Sequence, residues 1–382
     1  MQTLSLRATF FLALAALAAG CGLIAGVKDR TLVEGSGGST SSASTSTTAT
    51  TSTSGSVGGQ GGTITTTSST TGAGGGAGGS GGGPCPEQSL GVETIVCHQK
   101  RPTNLVVEGS SLYWANEEDG TIVTVPTSTS VNSVPSIIVT GQTGICGLVV
   151  AKGYVYWRTH GGGVLRRLVS GDGLVQPISE FQGDSCAISA SDTRVYWANA
   201  VNPSNDVISS ASFANVADTL DVVQTAEQVS RLDASHPPNL YWTGPEKGKL
   251  YRWNAAVGLS ALPTGGAPCD VRTDGANLFW TDSPINVVGT SSLDFTEPKT
   301  ITTTTTKPCS MALRAPYIYW AEELASGRIV RAQTGASAVV EVVADKQKLP
   351  CSVAVAVDGM RVFWTTCDGG EVLRLSVQPV PN

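Results

Sequence analysis

Nine cysteines, three histidines and a scattering of carboxylates are the side chains of this 382-residue chain most able to do chemistry. His98, His160 and His236 are dispersed, and neither an HExxH pattern nor a strand-to-helix GxSxG elbow accompanies them. Ser and Thr abound, but a hydroxyl without a convergent base is not an activated nucleophile. No catalytic residue is assigned on this reading. No cysteine pair has CxxC spacing, so disulfides are favoured over zinc, and neither a metal site nor a cofactor is expected. The acids Glu117, Glu118, Asp119, Asp282, Glu322 and Glu323, with His160, make a candidate ligand face. They offer an acidic rim to a cation or a basic partner. The competing reading is that they are solvated turn residues keeping a Gly/Ser-rich protein soluble.

The elements that must position these residues announce themselves through tryptophan. An aliphatic residue and an aromatic precede Trp114, Trp157, Trp197, Trp242, Trp280, Trp320 and Trp364, at spacings of 38 to 45 residues. Around each copy, short apolar runs alternate with Gly, Asp, Asn and Ser turns. That period and composition predict an all-β fold, a seven-bladed β-propeller of four-stranded antiparallel blades. The segment Glu93–Cys97 aligns with Ser136–Thr140, the fourth strand of the first repeat, while the last repeat supplies only three strands. The ring is therefore expected to be closed by the N-terminal strand, which removes two exposed sheet edges. Successive strand residues point to opposite faces, so each Tyr–Trp or Phe–Trp pair should fill the packing layers on both sides of its blade. These tryptophans are the repeat core. Trp253 lies outside the register and is the tryptophan expected to be exposed.

The ring gives the cysteines partners. Cys146, Cys186, Cys269 and Cys309 each stand 11 residues before a repeat tryptophan, at the entry to an innermost strand. Innermost strands converge on the axis, which suits Cys146 with Cys186 and Cys269 with Cys309. Cys351 and Cys367 flank a hairpin centred on Gly359, leaving Cys85 with Cys97 to pin the closing strand. An even set of eight fits an oxidising compartment.

Residues 1–20 carry Arg7 followed by an apolar run from Ala8 to Ala19, too short to span a bilayer and typical of a secretory signal. The end of that run, Leu17-Ala18-Ala19-Gly20-Cys21, resembles a bacterial lipobox, although Leu17 is one position earlier than the pattern places it. The resemblance implies lipidation of Cys21, and Gly22 after it implies sorting to the outer membrane. The alternative is ordinary cleavage and a secreted protein. Residues 21–84 form a tether, and from Gly35 to Pro84 it has neither a charge nor an aromatic side chain. Ser, Thr and Gly in that proportion cannot recover the entropy of folding, so a disordered leash is expected, with the propeller over 85–382.

The repeats resemble the YWTD repeats of low-density-lipoprotein-receptor-type propellers, and more loosely NHL repeats and streptogramin lyase. Phe279-Trp280-Thr281-Asp282 comes nearest to the full tetrapeptide, and the other copies read YWAN, YWRT, YWAN, YWTG, YWAE and FWTT. The lyase resemblance implies a metal-assisted enzyme, but its histidine and acid constellation does not map onto these residues. A Ser/Thr/Gly tether ahead of such repeats is similar to that of predicted lipoproteins of myxobacteria. The net charge of -6 and the lack of a Lys/Arg stripe argue against nucleic acid. The expectation is a monomeric, noncatalytic binding module in the bacterial cell envelope. Its partner would be a protein or a glycan, and it would touch the membrane through its N-terminal lipid. Two other readings are a propeller lyase or lactonase with a divalent metal at the axial mouth, and a structural envelope protein.

Overall fold

The computed structural model describes residues 83–88, 91–180, 183–202, 205–303, 305–334 and 338–377. The chain divides at Gly75 and Gly76 into two units, and all the described residues belong to the second. Cys21, the expected signal segment and nearly all of the expected tether lie outside them.

Twenty-eight strands build seven four-stranded antiparallel sheets. Six sheets take four strands consecutive in sequence, giving blade I (102–139), blade II (145–179), blade III (188–224), blade IV (231–263), blade V (268–302) and blade VI (308–347). Blade VII combines Pro350–Val355, Arg361–Thr366 and Glu371–Ser376 with Val92–Val96. Val92 faces Leu375 and Thr94 faces Leu373 across that last pair. The first strand of every blade touches the first strands of both neighbours, and blade VII returns to blade I, so the ring is closed. Pro102, Pro268, Pro308 and Pro350 open four of these inner strands, a strand position that spares proline a ladder hydrogen bond. Among the described residues there is no helix long and apolar enough to cross a membrane.

Seven apolar clusters form the core, one for each junction between blades. Each joins the repeat tryptophan of one blade to the aromatic residue before the tryptophan of the preceding blade. Tyr113 packs with Trp157, Tyr156 with Trp197, and Tyr241 with Trp280. The circuit ends where Phe363 packs with Trp114. The alternation of side chains along a strand thus lets two adjacent residues cement two junctions. Trp253 is half-buried against the cluster of blades III and IV, which corrects its expected exposure. It sits on a third strand opposite Leu240 and Leu259, so the pleat turns it inward although it is outside the repeat motif.

Polar latches tie three of the blades to the next on the face where inner strands begin. The turn after the second strand of blade I ends at Gly120, whose carbonyl accepts Gln142 N–H at 2.9 Å from the entry to blade II. Gly370 does the same for Gln99, and Gly248 for Thr264. At Gly120 the chain is left-handed, with φ of 65°, and an added Cβ would lie 2.3 Å from Gln142 O. Only glycine meets both demands without strain.

Candidate binding face

The glutamines of those latches also serve the tryptophans. Gln142 Oε1 accepts the indole N–H of Trp157 at 3.2 Å, and Gln99 Oε1 that of Trp114 at 3.2 Å. Thr305 and Gln347 cap Trp320 and Trp364, each at 2.8 Å. An entry-loop polar residue therefore satisfies an indole that packing alone would leave unpaired. The sequence signal was present: Gln99, Gln142 and Thr305 each stand 15 residues before their tryptophan.

Inner strands have one edge without a neighbour in their own sheet, and side chains of the preceding blade fill it. Ser189 Oγ accepts Ala234 N–H at 3.0 Å, and Asp233 Oδ2 accepts Thr273 N–H at 2.8 Å. Asp270 Oδ2 accepts Met311 N–H at 3.0 Å, and Ser310 Oγ accepts Val353 N–H at 3.2 Å. These staples run from blade III to blade VII. Sequence reasoning missed Asp233 and Asp270, although both are buried acids near the axis.

The acids singled out from the sequence separate into three groups. Glu117 pairs with Arg101 at 2.9 Å, and Asp119 Oδ1 accepts Thr121 N–H at 3.1 Å, closing the turn that holds Glu118 in solvent. Glu118 and Asp119 border an open cleft of 1390 Å³ between blades VII and I, which His98 and Asp368 also line. Asp282 and Glu322 contradict the rim reading, for both are buried. Each ends a second strand, two residues after its tryptophan, and turns back into its own blade's entry loop. Asp282 accepts Ala267 N–H at 2.9 Å. Glu322 accepts Thr305 Oγ1 at 2.7 Å, Thr306 N–H at 3.0 Å and the Arg328 guanidinium at 2.5 Å. Their work is clamping, not display.

Glu323 forms the third group. It is half-buried, and burial raises its carboxyl above the ordinary range while the charge of Arg231 opposes that rise. The Ser310 backbone, Asp270 and Lys307 also act on its carboxyl, which places this turn residue close to the inner strands. Beside it, Asp270 holds the Arg272 guanidinium charged from 3.4 Å. A second hollow of 580 Å³ opens on the same face between blades IV and VI, with Pro245, Pro268 and Pro284 on its walls and Lys307 at its edge.

His160 stands exposed on this face, 2.8 Å from Asp184 Oδ1. His98 Nε2 lies 2.9 Å from Gly83 O, and His236 sits between the first and second strands of blade IV, on the opposite face. The three histidines are not brought together. Behind the face, Arg158 is fully buried and donates to Ala198 O. Burial lowers its guanidinium to about 10 against the pull of Asp206 and Asp184, and raises the Asp206 carboxyl.

Four disulfides brace the ring: Cys85–Cys97, Cys146–Cys186, Cys269–Cys309 and Cys351–Cys367. The two bridges between blades have Cα separations of 5.2 Å, within the relaxed range. Pro350 faces Thr366 as Pro308 faces Glu322, so Cys351 occupies the inner-strand position of Cys309. It nonetheless bonds within its own blade.

No family model and no curated protein matches this chain. Solved structures do. A streptogramin B lyase superposes with a TM-score of 0.61 at 14% identity, covering 75% of this chain and 97% of that one. A catalytically inactive virginiamycin B lyase from Staphylococcus aureus, solved with quinupristin, gives 0.61 at 12% identity, with 75% and 99% covered. The WD40 repeats of RRP9 give 0.59 at 12% identity, with 77% and 99% covered. At such identities the likeness is one of fold alone, shared by enzymes and by repeat proteins of other kinds: the chain is a seven-bladed β-propeller.

Proposed function

We propose that this chain is an exported, noncatalytic binding module, displayed from a lipid on Cys21 in the bacterial envelope, which receives a protein or glycan on the face where the inner strands begin. The observation that carries this reading is how the polar groups of that face are used. Asp233 and Asp270 staple inner strands, Asp282 and Glu322 clamp entry loops, and Glu117 holds Arg101. What the face offers a partner is shape, two hollows of 1390 and 580 Å³ set in a disulfide-braced rim. Rigid concave surfaces suit recognition, because little entropy is lost when they bind. The cleft beside Glu118 and Asp119 is the favoured contact for a basic partner.

The test uses the mature chain as bait against envelope proteins and a glycan array. Capture that weakens at least tenfold in a Glu118→Lys/Asp119→Lys variant, with folding unchanged, supports the reading. Metal-dependent turnover of an ester, lactone or cyclic depsipeptide by the oxidised protein would replace it with the lyase reading. Palmitate incorporation that survives Cys21→Ser would remove the anchor and leave a secreted module.

A further inference from the structure

One of the two bridges between blades has companions that the other lacks. His160 follows the second strand of blade II, its N–H donating to Gly144 O at 2.9 Å. Its Nδ1 lies 2.8 Å from Asp184 Oδ1 and 3.8 Å from Cys186 Sγ. Asp184 Oδ1 also accepts Gly161 N–H at 3.2 Å, which fixes the two loops against each other. The ligating atoms of Cys146, His160 and Cys186 all fall within 4.8 Å of one another. The His160 and Asp184 side chains are 52% and 74% exposed, so solutes reach the cluster.

The bridge in blades V and VI holds the same strand positions with other neighbours. Three residues after Trp280 stands Ser283, where Trp157 is followed by His160, and two before Cys309 stands Lys307, where Cys186 has Asp184. One bridge therefore has an imidazole and a carboxylate beside its sulfurs, and the other a hydroxyl and an ammonium.

We propose that reduction of Cys146–Cys186 turns this junction into a zinc site with Cys146, Cys186 and His160 as its protein ligands, a water in the fourth position, and Asp184 orienting the imidazole. While bridged, the sulfurs carry no charge and are poor ligands. A dithiol reductant supplies two electrons and two protons, becoming a disulfide itself, and leaves two thiols. Zinc displaces those two protons and stays Zn²⁺ throughout. Two thiolates and an imidazole, completed by a water, form a set that zinc takes tetrahedrally, with Zn–S near 2.3 Å and Zn–N near 2.0 Å. Those lengths put a ligating nitrogen roughly 3.5 Å from a ligating sulfur, close to the 3.8 Å already present between His160 and Cys186. The oxidised junction staples blades II and III covalently, and the reduced one would do so through metal.

Cobalt(II) is the probe, added to the full chain with its disulfides intact and after reduction by a phosphine in native buffer. The oxidised protein should show no thiolate-to-cobalt absorption. The reduced protein should bind about one Co²⁺ per chain with the intense visible bands of a tetrahedral centre, displaced by Zn²⁺. His160→Ala should weaken binding at least tenfold, whereas Cys269→Ser/Cys309→Ser should leave it unchanged. Should full reduction open the ring, Cys146→Ser frees Cys186 while the other three bridges persist, and it should show a weaker cobalt–thiolate band that His160→Ala abolishes. A reduced wild type or a Cys146→Ser variant without that band overturns the proposal. So does a band indifferent to His160→Ala.

Discussion

Gln347 takes the indole N–H of Trp364 at 2.8 Å in a buried setting, and neither group has water to fall back on. Gln347→Ala should therefore cost about 1–3 kcal/mol, the penalty for an unsatisfied buried donor, read as a lower denaturant midpoint with unchanged slope. Glu322 is more exacting, since its buried carboxylate depends on Arg328. Arg328→Ala should cost about 3 kcal/mol by leaving that charge uncompensated, and Glu322→Gln in the same background should recover part of the loss. Asp294 marks the solvent-facing extreme. Hydrogen bonds from Ser292 and Thr296 lower its carboxyl to about 2. A depressed acid lends stability above its unfolded value of about 4 and withdraws it as pH falls toward 2. An NMR titration should find the Asp294 midpoint near 2, and Ser292→Ala should move it upward. Sequence alone placed Asp282 and Glu322 wrongly because a polar residue after a strand reads as a solvated turn. Their partners, Ala267 and Thr305, lie in a loop 15 to 17 residues earlier, and only the ring brings that loop back against the strand end.

At the level of strand and turn, two glycines with the same backbone twist make different demands. Gly109 has φ of 59° with open space where a Cβ would stand, whereas Gly120 has φ of 65° and meets Gln142 O at 2.3 Å. Gly109→Ala should cost about 1 kcal/mol, the left-handed penalty alone. Gly120→Ala adds a backbone collision that parts the latch between blades I and II, and its loss should be about twice as large or more. Comparing the two by urea unfolding separates conformational strain from contact. The strands themselves were easy to read from the chain, because each tryptophan motif repeats one hairpin and every blade copies the same order. The staples were not, since Asp233 and Asp270 find their acceptor roles in strands of the next blade, about 40 residues away in sequence. Nothing in a single repeat displays that pairing.

For the molecule as a whole, blade number and cysteine partners were legible for one reason. A ring of equivalent units turns spacing along the chain into position in space, so cysteines 40 residues apart become neighbours. The face that binds, and what it binds, have no such periodic signature and depend on loops that differ from blade to blade. Cys85–Cys97 pins the strand that completes blade VII, and Cys97→Ser should cost about 3 kcal/mol by the loop-entropy account. Limited proteolysis should then release the 83–97 segment first. The placement of the bridges also has a mechanical outcome. Blades II and III are riveted together, as are V and VI, and every other joint relies on packing and hydrogen bonds. Stretched in optical tweezers, the oxidised wheel should break into segments, each riveted pair withholding a 40-residue loop or roughly 140 Å of contour, and thiols in the bath should return that length in two discrete steps.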